Sequence, residues 1–372
     1  MFKNKLNSTL VFGILISLIN GCGKLSVDLP TSATPTISTI PITPTPVLNQ
    51  PRFAYVANNV DGTINMYTID ASTGGLNPID TAIACYGVLS IAVDPHGKYL
   101  YAVGSDKYYT SFTIDQTTGA LSQVARDQLL TSGGPIPRSI TIGSTGTYSY
   151  VATDTEIIAF PINQTTGALI SSSGLGVSAS AMVVDPKENY AYTLSAYDVT
   201  GYQVISGALG NIIGGGIIIT GTPTPVLQSI AIDQTGGIAY ALDSANNIVI
   251  LFHLSSGRPT QIANFSTGST PYSVTIDPSG RFLYTANKAD HTISMYSITP
   301  VTGALTSLGS TNVTGADPVS ITVDPSGKFV YVANNGSESV TIFSIDQING
   351  TLSQVGGNVT AGQGPVSVVT TK

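Results

Sequence analysis

The chain repeats one pattern along most of its length. The string DPSGKFVYVANN at 324–335 closely matches DPSGRFLYTANK at 277–288. Weaker copies of the pattern occur elsewhere in the chain, and each contains a tyrosine. These tyrosines recur every 42 to 49 residues, at Tyr55, Tyr101, Tyr150, Tyr192, Tyr240, Tyr284 and Tyr331. A period of this size is typical of one propeller blade. The repeat therefore predicts seven blades.

Each repeat unit predicts four strands. In the sixth unit the runs PYSVTI, RFLYTAN, ISMYSI and TSLGST are rich in strand-forming residues and lack a helical period. The turns DPSG and TPVTGAL separate them, and Asp, Pro and Gly are residues that tight turns favour. We predict antiparallel, four-stranded blades and an all-β fold.

The ends of the repeat region predict how the ring closes. Residue 52 leads directly into the first tyrosine strand, with no inner strand before it. The C-terminal run GPVSVVTT is an inner strand with no tyrosine strand after it. We therefore predict that this run completes the first blade, so that residues 52–372 form one closed seven-bladed β-propeller with only short edges.

The first 51 residues predict export and anchoring. Lys3 and Lys5 precede the apolar run LVFGILISLI, which is too short to span a bilayer and is typical of a secretory signal. The following INGC resembles a bacterial lipobox, which implies a signal peptide at 1–21 and lipidation of Cys22; an ordinary cleaved signal is the alternative. Gly23, by resemblance to lipoproteins of bacteria with two membranes, favours the outer membrane.

Residues 22–51 predict an extended tether between the lipid and the propeller. They are rich in proline and threonine and carry almost no charge, a composition typical of a spacer. The expected location is therefore the bacterial cell envelope, with the membrane as a partner through the N-terminal lipid. We expect a monomer.

Composition excludes several classes of function. Charged residues make up 9% of the chain, the net charge is −7, and no Lys/Arg cluster occurs, so nucleic acid is not an expected partner. Modification of Cys22 leaves only Cys85, which predicts a buried structural thiol and no intramolecular disulfide. His96, His253 and His291 lie in different units, so no metal site is expected, and no cofactor motif occurs.

The loops after the tyrosine strands vary while the scaffold repeats, which is typical of a binding face. We call this side of the disc the irregular face. One inner-strand position facing it is polar on four consecutive units, at Arg138, Ser180, Gln228 and Tyr272. These residues predict a ligand patch, because a guanidinium binds carboxylate or phosphate. Pairing of Arg138 with Asp154 or Glu156 is the alternative.

The next inner-strand position carries a small residue in every unit. It is Ser90, Ser139, Ala181, Ser229, Ser273, Ser320 and Ser367. The serines predict either a ring of hydroxyls at the channel mouth or a structural adaptation of crowded strands, in which serine bonds a neighbouring backbone.

The strings YVAN and YTAN, flanked by DPSG and TGAL turns, resemble YVTN-type repeats and the lactonase-like seven-bladed propellers, which include bacterial 6-phosphogluconolactonases. The resemblance covers roughly 52–372. In those enzymes a Pro-Arg-His triplet and a nearby glutamate are associated with the site. The matching residues are Pro137, Arg138, Ser139 and Asp154. The resemblance therefore implies that Asp154 would act as general base in the absence of the histidine.

Two functions follow as expectations. The first is a non-catalytic envelope lipoprotein whose irregular face binds a protein, a glycan or a small ligand. The second is a lactonase-like hydrolase in which Arg138 holds an oxygen and Asp154 activates water. Convergence of both residues on an open channel favours the enzyme, and pairing beneath a covered surface disfavours it. A purely structural spacer would carry no concentrated polar patch.

Overall fold

The structure is a computed structural model that describes residues 52–128, 134–170, 174–213, 216–313 and 315–372. The predicted signal peptide, the tether and Cys22 lie outside the described residues. Numbered in chain order, the described strands are β1 Phe53–Asn58, β2 Thr63–Ile69, β3 Leu76–Ile83, β4 Val88–Val93, β5 Tyr99–Gly104, β6 Tyr108–Ile114, β7 Leu121–Gln128, β8 Pro137–Ile142, β9 Tyr148–Thr153, β10 Ile157–Pro161, β11 Gly174–Leu175, β12 Ala181–Val184, β13 Tyr190–Leu194, β14 Asp198–Ile205, β15 Ala208–Ile212, β16 Ile217–Ile218, β17 Leu227–Ile232, β18 Ile238–Asp243, β19 Ile248–Ser255, β20 Arg258–Ser266, β21 Pro271–Ile276, β22 Phe282–Asn287, β23 Thr292–Ile298, β24 Leu305–Asn312, β25 Pro318–Val323, β26 Phe329–Asn334, β27 Ser339–Ile345, β28 Leu352–Gln354, β29 Val359–Thr360 and β30 Pro365–Thr370. One short 3₁₀ turn spans Asn335–Ser337.

The strands form seven antiparallel sheets, which confirms the seven-bladed, all-β prediction. From the inner to the outer strand, blade 1 is β30-β1-β2-β3, blade 2 is β4 to β7, blade 3 is β8 to β11, blade 4 is β12 to β16, blade 5 is β17 to β20, blade 6 is β21 to β24, and blade 7 is β25 to β29. The outer edges of blades 4 and 7 are each divided into two short strands.

The ring closes as the chain ends predict. β30 pairs with β1 along Ala54 to Asn58, so the last strand supplies the inner strand of the first blade. Apolar side chains then fill the space between neighbouring blades. Tyr55 and Ala57 of blade 1, for example, pack with Leu100 and Ala102 of blade 2.

The repeated tyrosines join each blade to the next one. Their rings are fully buried, and in five of the seven blades the hydroxyl donates a hydrogen bond to a glycine carbonyl in the turn before the outer strand of the following blade. These bonds, of 2.7 to 2.9 Å, run from Tyr55 to Gly119, Tyr101 to Gly167, Tyr240 to Gly303, Tyr284 to Gly350 and Tyr331 to Gly74. The tyrosine therefore recurs because each blade needs a connection to its neighbour.

The turn glycine is required for two reasons. Gly119 has a φ of +77°, a region that residues with a Cβ rarely adopt. A Cβ at Gly119 would also lie only 2.3 Å from the Phe53 ring of the preceding blade. The turn glycine thus recurs because the turn lies against an aromatic ring of the preceding blade.

Blades 4 and 5 depart from this scheme. Their corresponding turns contain two residues, Ser206–Gly207 and Ser256–Gly257, between the third and outer strands. The hydroxyls that would reach them, on Tyr150 and Tyr192, are buried and have no hydrogen-bond partner among the described residues. The shorter turn leaves each hydroxyl without a carbonyl acceptor for its hydrogen bond.

This difference predicts unequal effects of one substitution. Tyr101→Phe should destabilise the protein by about 1 to 2 kcal/mol, because it removes a buried hydrogen bond and leaves the Gly167 carbonyl without that donor. Tyr150→Phe should leave the free energy of unfolding almost unchanged, since the Tyr150 hydroxyl bonds no described residue. Denaturant unfolding of both variants measures the difference, and equal losses of stability would contradict the proposed role of the tyrosine.

The repeated turn aspartates have a local role. In DPSG the Asp277 Oδ1 accepts the main-chain N–H groups of Arg281 and Phe282, both at 2.7 Å. Blade 3 has Gly143 at the equivalent position, and there the Glu188 carboxylate of blade 4 accepts the Thr145 N–H at 2.7 Å. The turn hydrogen bonds thus explain the repeated aspartate without a bound cation.

Candidate functional site

An open cavity of about 700 Å³ lies at the mouth of the central channel on the irregular face. Its wall is formed by the first residues of the inner strands and by parts of the irregular loops. All five residues predicted from the sequence for the patch and its acid line it: Arg138, Asp154, Ser180, Gln228 and Tyr272. The structure therefore brings these residues to one site.

The ring of small residues forms the cavity wall, and most of its serines bond the neighbouring blade. Ser90, Ser229, Ser273 and Ser320 each accept a main-chain N–H from the next inner strand, over 3.1 to 3.4 Å. The structural interpretation of these serines is the one that the geometry supports. The hydroxyls hold the inner strands together.

Arg138 presents a free cation to the cavity. It is the second residue of β8, its side chain is exposed, and neither Asp154 nor Glu156 forms an ion pair with it. Among the described residues its guanidinium also has no hydrogen-bond acceptor. Its five N–H donors are therefore available to a ligand.

Asp154 is oriented by the backbone. Its Oδ1 accepts the N–H of Ile136 at 2.8 Å, and Ile136 lies just before β8. Asp61, in blade 1, makes the equivalent bond to the N–H of Gln363 at 2.9 Å. The bond is thus partly structural, but Asp154 alone of these two lines the cavity, and its Oδ2 has no hydrogen-bond partner among the described residues.

The other predicted residues are less available. The Ser180 hydroxyl lies within hydrogen-bond distance of the carbonyls of Leu194 and Leu227, at 3.2 and 3.3 Å. Gln228 Nε2 donates to the Ser244 hydroxyl at 3.4 Å. Both side chains therefore shape the wall of the cavity more than they offer free donors.

Lys288 is a cavity residue that the sequence reasoning missed. It lies in the irregular loop NKADHT, and its ammonium stands 5.6 Å from the centre of the Tyr272 ring. The sequence does show a lysine in a loop of the irregular face. The direction of its side chain, however, depends on the loop conformation, which the sequence pattern does not give. Arg138 and Lys288 together outweigh Asp154, so the cavity has a positive balance in a chain whose net charge is −7.

Outside this cavity, the described residues carry neither a metal cluster nor a reactive thiol. No group of three or more His, Cys, Asp or Glu side chains lies close enough together to hold a metal within them. Cys85 is buried, and burial raises the pKa of its thiol to about 12, which suppresses the reactive thiolate. No helix in the described ranges is long and apolar enough to span a membrane.

The described residues form a propeller with an open polar cavity at the channel mouth. The model of the family "Lactonase, 7-bladed beta-propeller" matches residues 47–186 and 229–370, and the chain therefore belongs to this family. The stretch between the two matched segments comprises most of blade 4, where a two-residue turn and a divided outer edge depart from the repeat. A search of curated proteins gave no match.

Solved structures share the fold at low sequence identity. A putative 6-phosphogluconolactonase from Bacteroides fragilis is 18% identical with a TM-score of 0.77, over 88% of this chain and all of the other. The periplasmic gluconolactonase PpgL of Pseudomonas aeruginosa is 20% identical with a TM-score of 0.75, over 86% and 99% of the two chains. Hydrazine synthase of Kuenenia stuttgartiensis also matches, with 17% identity and a TM-score of 0.57, over 82% and 98%. The same architecture therefore accompanies different chemistry.

Proposed function

We propose that this protein is a lactone hydrolase. The observation that carries the proposal is that the Arg138 guanidinium and the Asp154 carboxylate line one open cavity without pairing with each other. Family membership and the lactonase names of two structural neighbours support the same activity. The geometry thus favours the enzyme over the non-catalytic scaffold.

Arg138 would bind the carbonyl oxygen of the lactone. Negative charge develops on this oxygen when water attacks the carbonyl carbon, and a fixed cationic donor stabilises that charge more than it stabilises the neutral substrate. After ring opening, the same guanidinium can hold the product carboxylate through two hydrogen bonds.

Asp154 would act as general base. The Ile136 N–H fixes Oδ1, which leaves Oδ2 to accept a proton from water as the water oxygen bonds to the carbonyl carbon. The tetrahedral intermediate then breaks the ring C–O bond, and the leaving alkoxide takes the proton back. One water is consumed, and one hydroxy acid is formed.

The test compares Asp154→Asn with Asp61→Asn in hydrolysis of a panel of lactones. Both carboxylates accept a main-chain N–H from the loop before an inner strand, and Asp61 also accepts the Thr63 N–H and hydroxyl, so Asp61→Asn should lose at least as much stability as Asp154→Asn. Only Asp154→Asn should lose turnover, by about 10²- to 10⁴-fold, because it removes the base. Turnover by Asp154→Asn equal to that of the Asp61→Asn control would contradict the assignment.

A second candidate is a non-catalytic protein of the envelope that binds a protein, a glycan or a small ligand on the irregular face. Ser139 favours it, since this serine stands where the related enzymes carry histidine. In that case Arg138 binds an anionic group and no lactone is opened. Absence of turnover, together with carboxylate binding that Arg138→Ala abolishes, would support this candidate.

We also propose that the chain is exported and anchored in the bacterial envelope, in the outer membrane, through lipid on Cys22. The basis is the lysine-flanked apolar run and the INGC sequence. Metabolic labelling with a radioactive fatty acid should mark the protein that has Cys22 and not the Cys22→Ser variant. Equal labelling of the two would contradict lipidation at this residue.

A further inference from the structure

Large apolar side chains are exposed on the irregular face, including Val60 of blade 1, Tyr86 before the inner strand of blade 2, and one residue on each of blades 3 to 6. On four consecutive blades, 3 to 6, the exposed fractions are 37% for Ile136, 49% for Tyr197, 43% for Val226 and 38% for Tyr272. Single exposed apolar residues are common, but several on neighbouring blades beside one cavity are characteristic of a binding surface. The group lies on the sector that also carries Arg138 and Asp154.

These four residues lie in or beside the cavity lining. Val226 and Tyr272 line the cavity. Ile136 bonds the Asp154 carboxylate through its N–H. Tyr197 directly follows Ala196, which lines the cavity and accepts the N–H of Leu227 at 3.1 Å.

The repeat does not account for the apolar residues that precede the inner strands of this sector. Ile136 and Val226 each immediately precede the inner strand of their blade. At the same position blade 2 has Gly87, blade 6 has Thr270, blade 7 has Asp317 and blade 1 has Gly364. The scaffold therefore does not require an apolar side chain at this position.

We propose that the substrate is a lactone with an apolar substituent, such as an alkyl chain or an aryl ring. This inference rests on the proposed function. The lactone carbonyl lies at Arg138 and Asp154, and the substituent covers Ile136, Tyr197, Val226 and Tyr272. Hydroxyl groups on a substituent in this position would face apolar side chains, where they lose hydrogen bonds to water.

The experiment uses two pairs of probes on the purified protein. Hydrolysis of δ-decalactone is compared with that of δ-valerolactone, which lacks the alkyl chain. Binding of the two ring-opened products, 5-hydroxydecanoate and 5-hydroxypentanoate, is measured by calorimetry, which does not require turnover. Each fully buried methylene is worth about a fourfold preference, so a partly covered pentyl chain of four methylenes and one methyl should favour the longer compound by at least about tenfold.

Val226→Ser should reduce this preference several-fold. Ile262→Ser is the matched control, because Ile262 is an exposed isoleucine on the outer strand β20, outside the cavity lining, and it should leave the preference unchanged. Equal rates and affinities for the long and short compounds would overturn the inference, as would a preference that Val226→Ser does not alter. A tail preference in binding without hydrolysis would support the apolar site and contradict the hydrolase.

Discussion

Removal of residues 364–372 should abolish the folded ring. These residues contain β30, whose pairing with β1 supplies the inner strand of blade 1. Val368 packs between blades 1 and 7, and Val366 and Val369 pack against the core between blades 1 and 2. The Val368 N–H also bonds the Ser320 hydroxyl of blade 7 at 3.1 Å.

The expected loss is large because several terms disappear together. Full burial of Val368 stabilises the fold by about 1.5 to 3 kcal/mol, and the partly buried Val366 and Val369 and the hydrogen bonds between β30 and β1 add to it, against a typical net stability of about 5 to 15 kcal/mol. Circular dichroism during thermal unfolding should show no cooperative transition in the truncated chain. Deletion of the exposed Lys372 alone is the control and should leave the melting temperature unchanged. An unchanged melting temperature after the longer deletion would refute the closure by β30.

Arg138→Ala should have the largest effect on turnover. The guanidinium faces the cavity without an internal partner, so its removal should cost little stability and about 10²- to 10³-fold in kcat/KM. Arg138→Lys should retain part of the activity, since the ammonium keeps the charge but not the forked geometry.

Arg258→Ala provides the matched control for Arg138. Arg258 is an exposed arginine at the start of the outer strand β20, and it does not line the cavity. The net charge changes equally in both variants, so a general electrostatic effect would lower both activities. Steady-state kinetics with one lactone distinguishes the cases, and equal activity of the Arg138→Ala and Arg258→Ala variants would contradict a role for Arg138.

The sequence predicts the scaffold well because the signals are local. A turn aspartate such as Asp277 bonds N–H groups only four and five residues away, so the turn is encoded within one short string. The tyrosines could be identified as repeat anchors, and the missing inner strand at residue 52 predicts the closure by β30. The hydrogen-bond partner of the tyrosine could not be predicted from the sequence, because its hydroxyl bonds a residue of the next blade about 65 positions away, as Tyr55 bonds Gly119.

The site was predicted only in part. Inner-strand positions could be counted back from the turns, which correctly brings Arg138 and Tyr272 to one cavity. Lys288 was missed because strand alternation does not fix the direction of a loop side chain. The Oδ1 contact of Asp154 with Ile136 was also missed, since it depends on the path of the loop before β8.

The most direct measurement is the rate of lactone ring opening by the unmodified protein and by an Arg138→Ala/Asp154→Asn double variant, side by side, above the rate in buffer alone. We predict catalytic turnover by the protein with its own sequence and none by the double variant. Absence of turnover by the unmodified protein, or equal turnover by both, would contradict a hydrolytic site at the channel mouth.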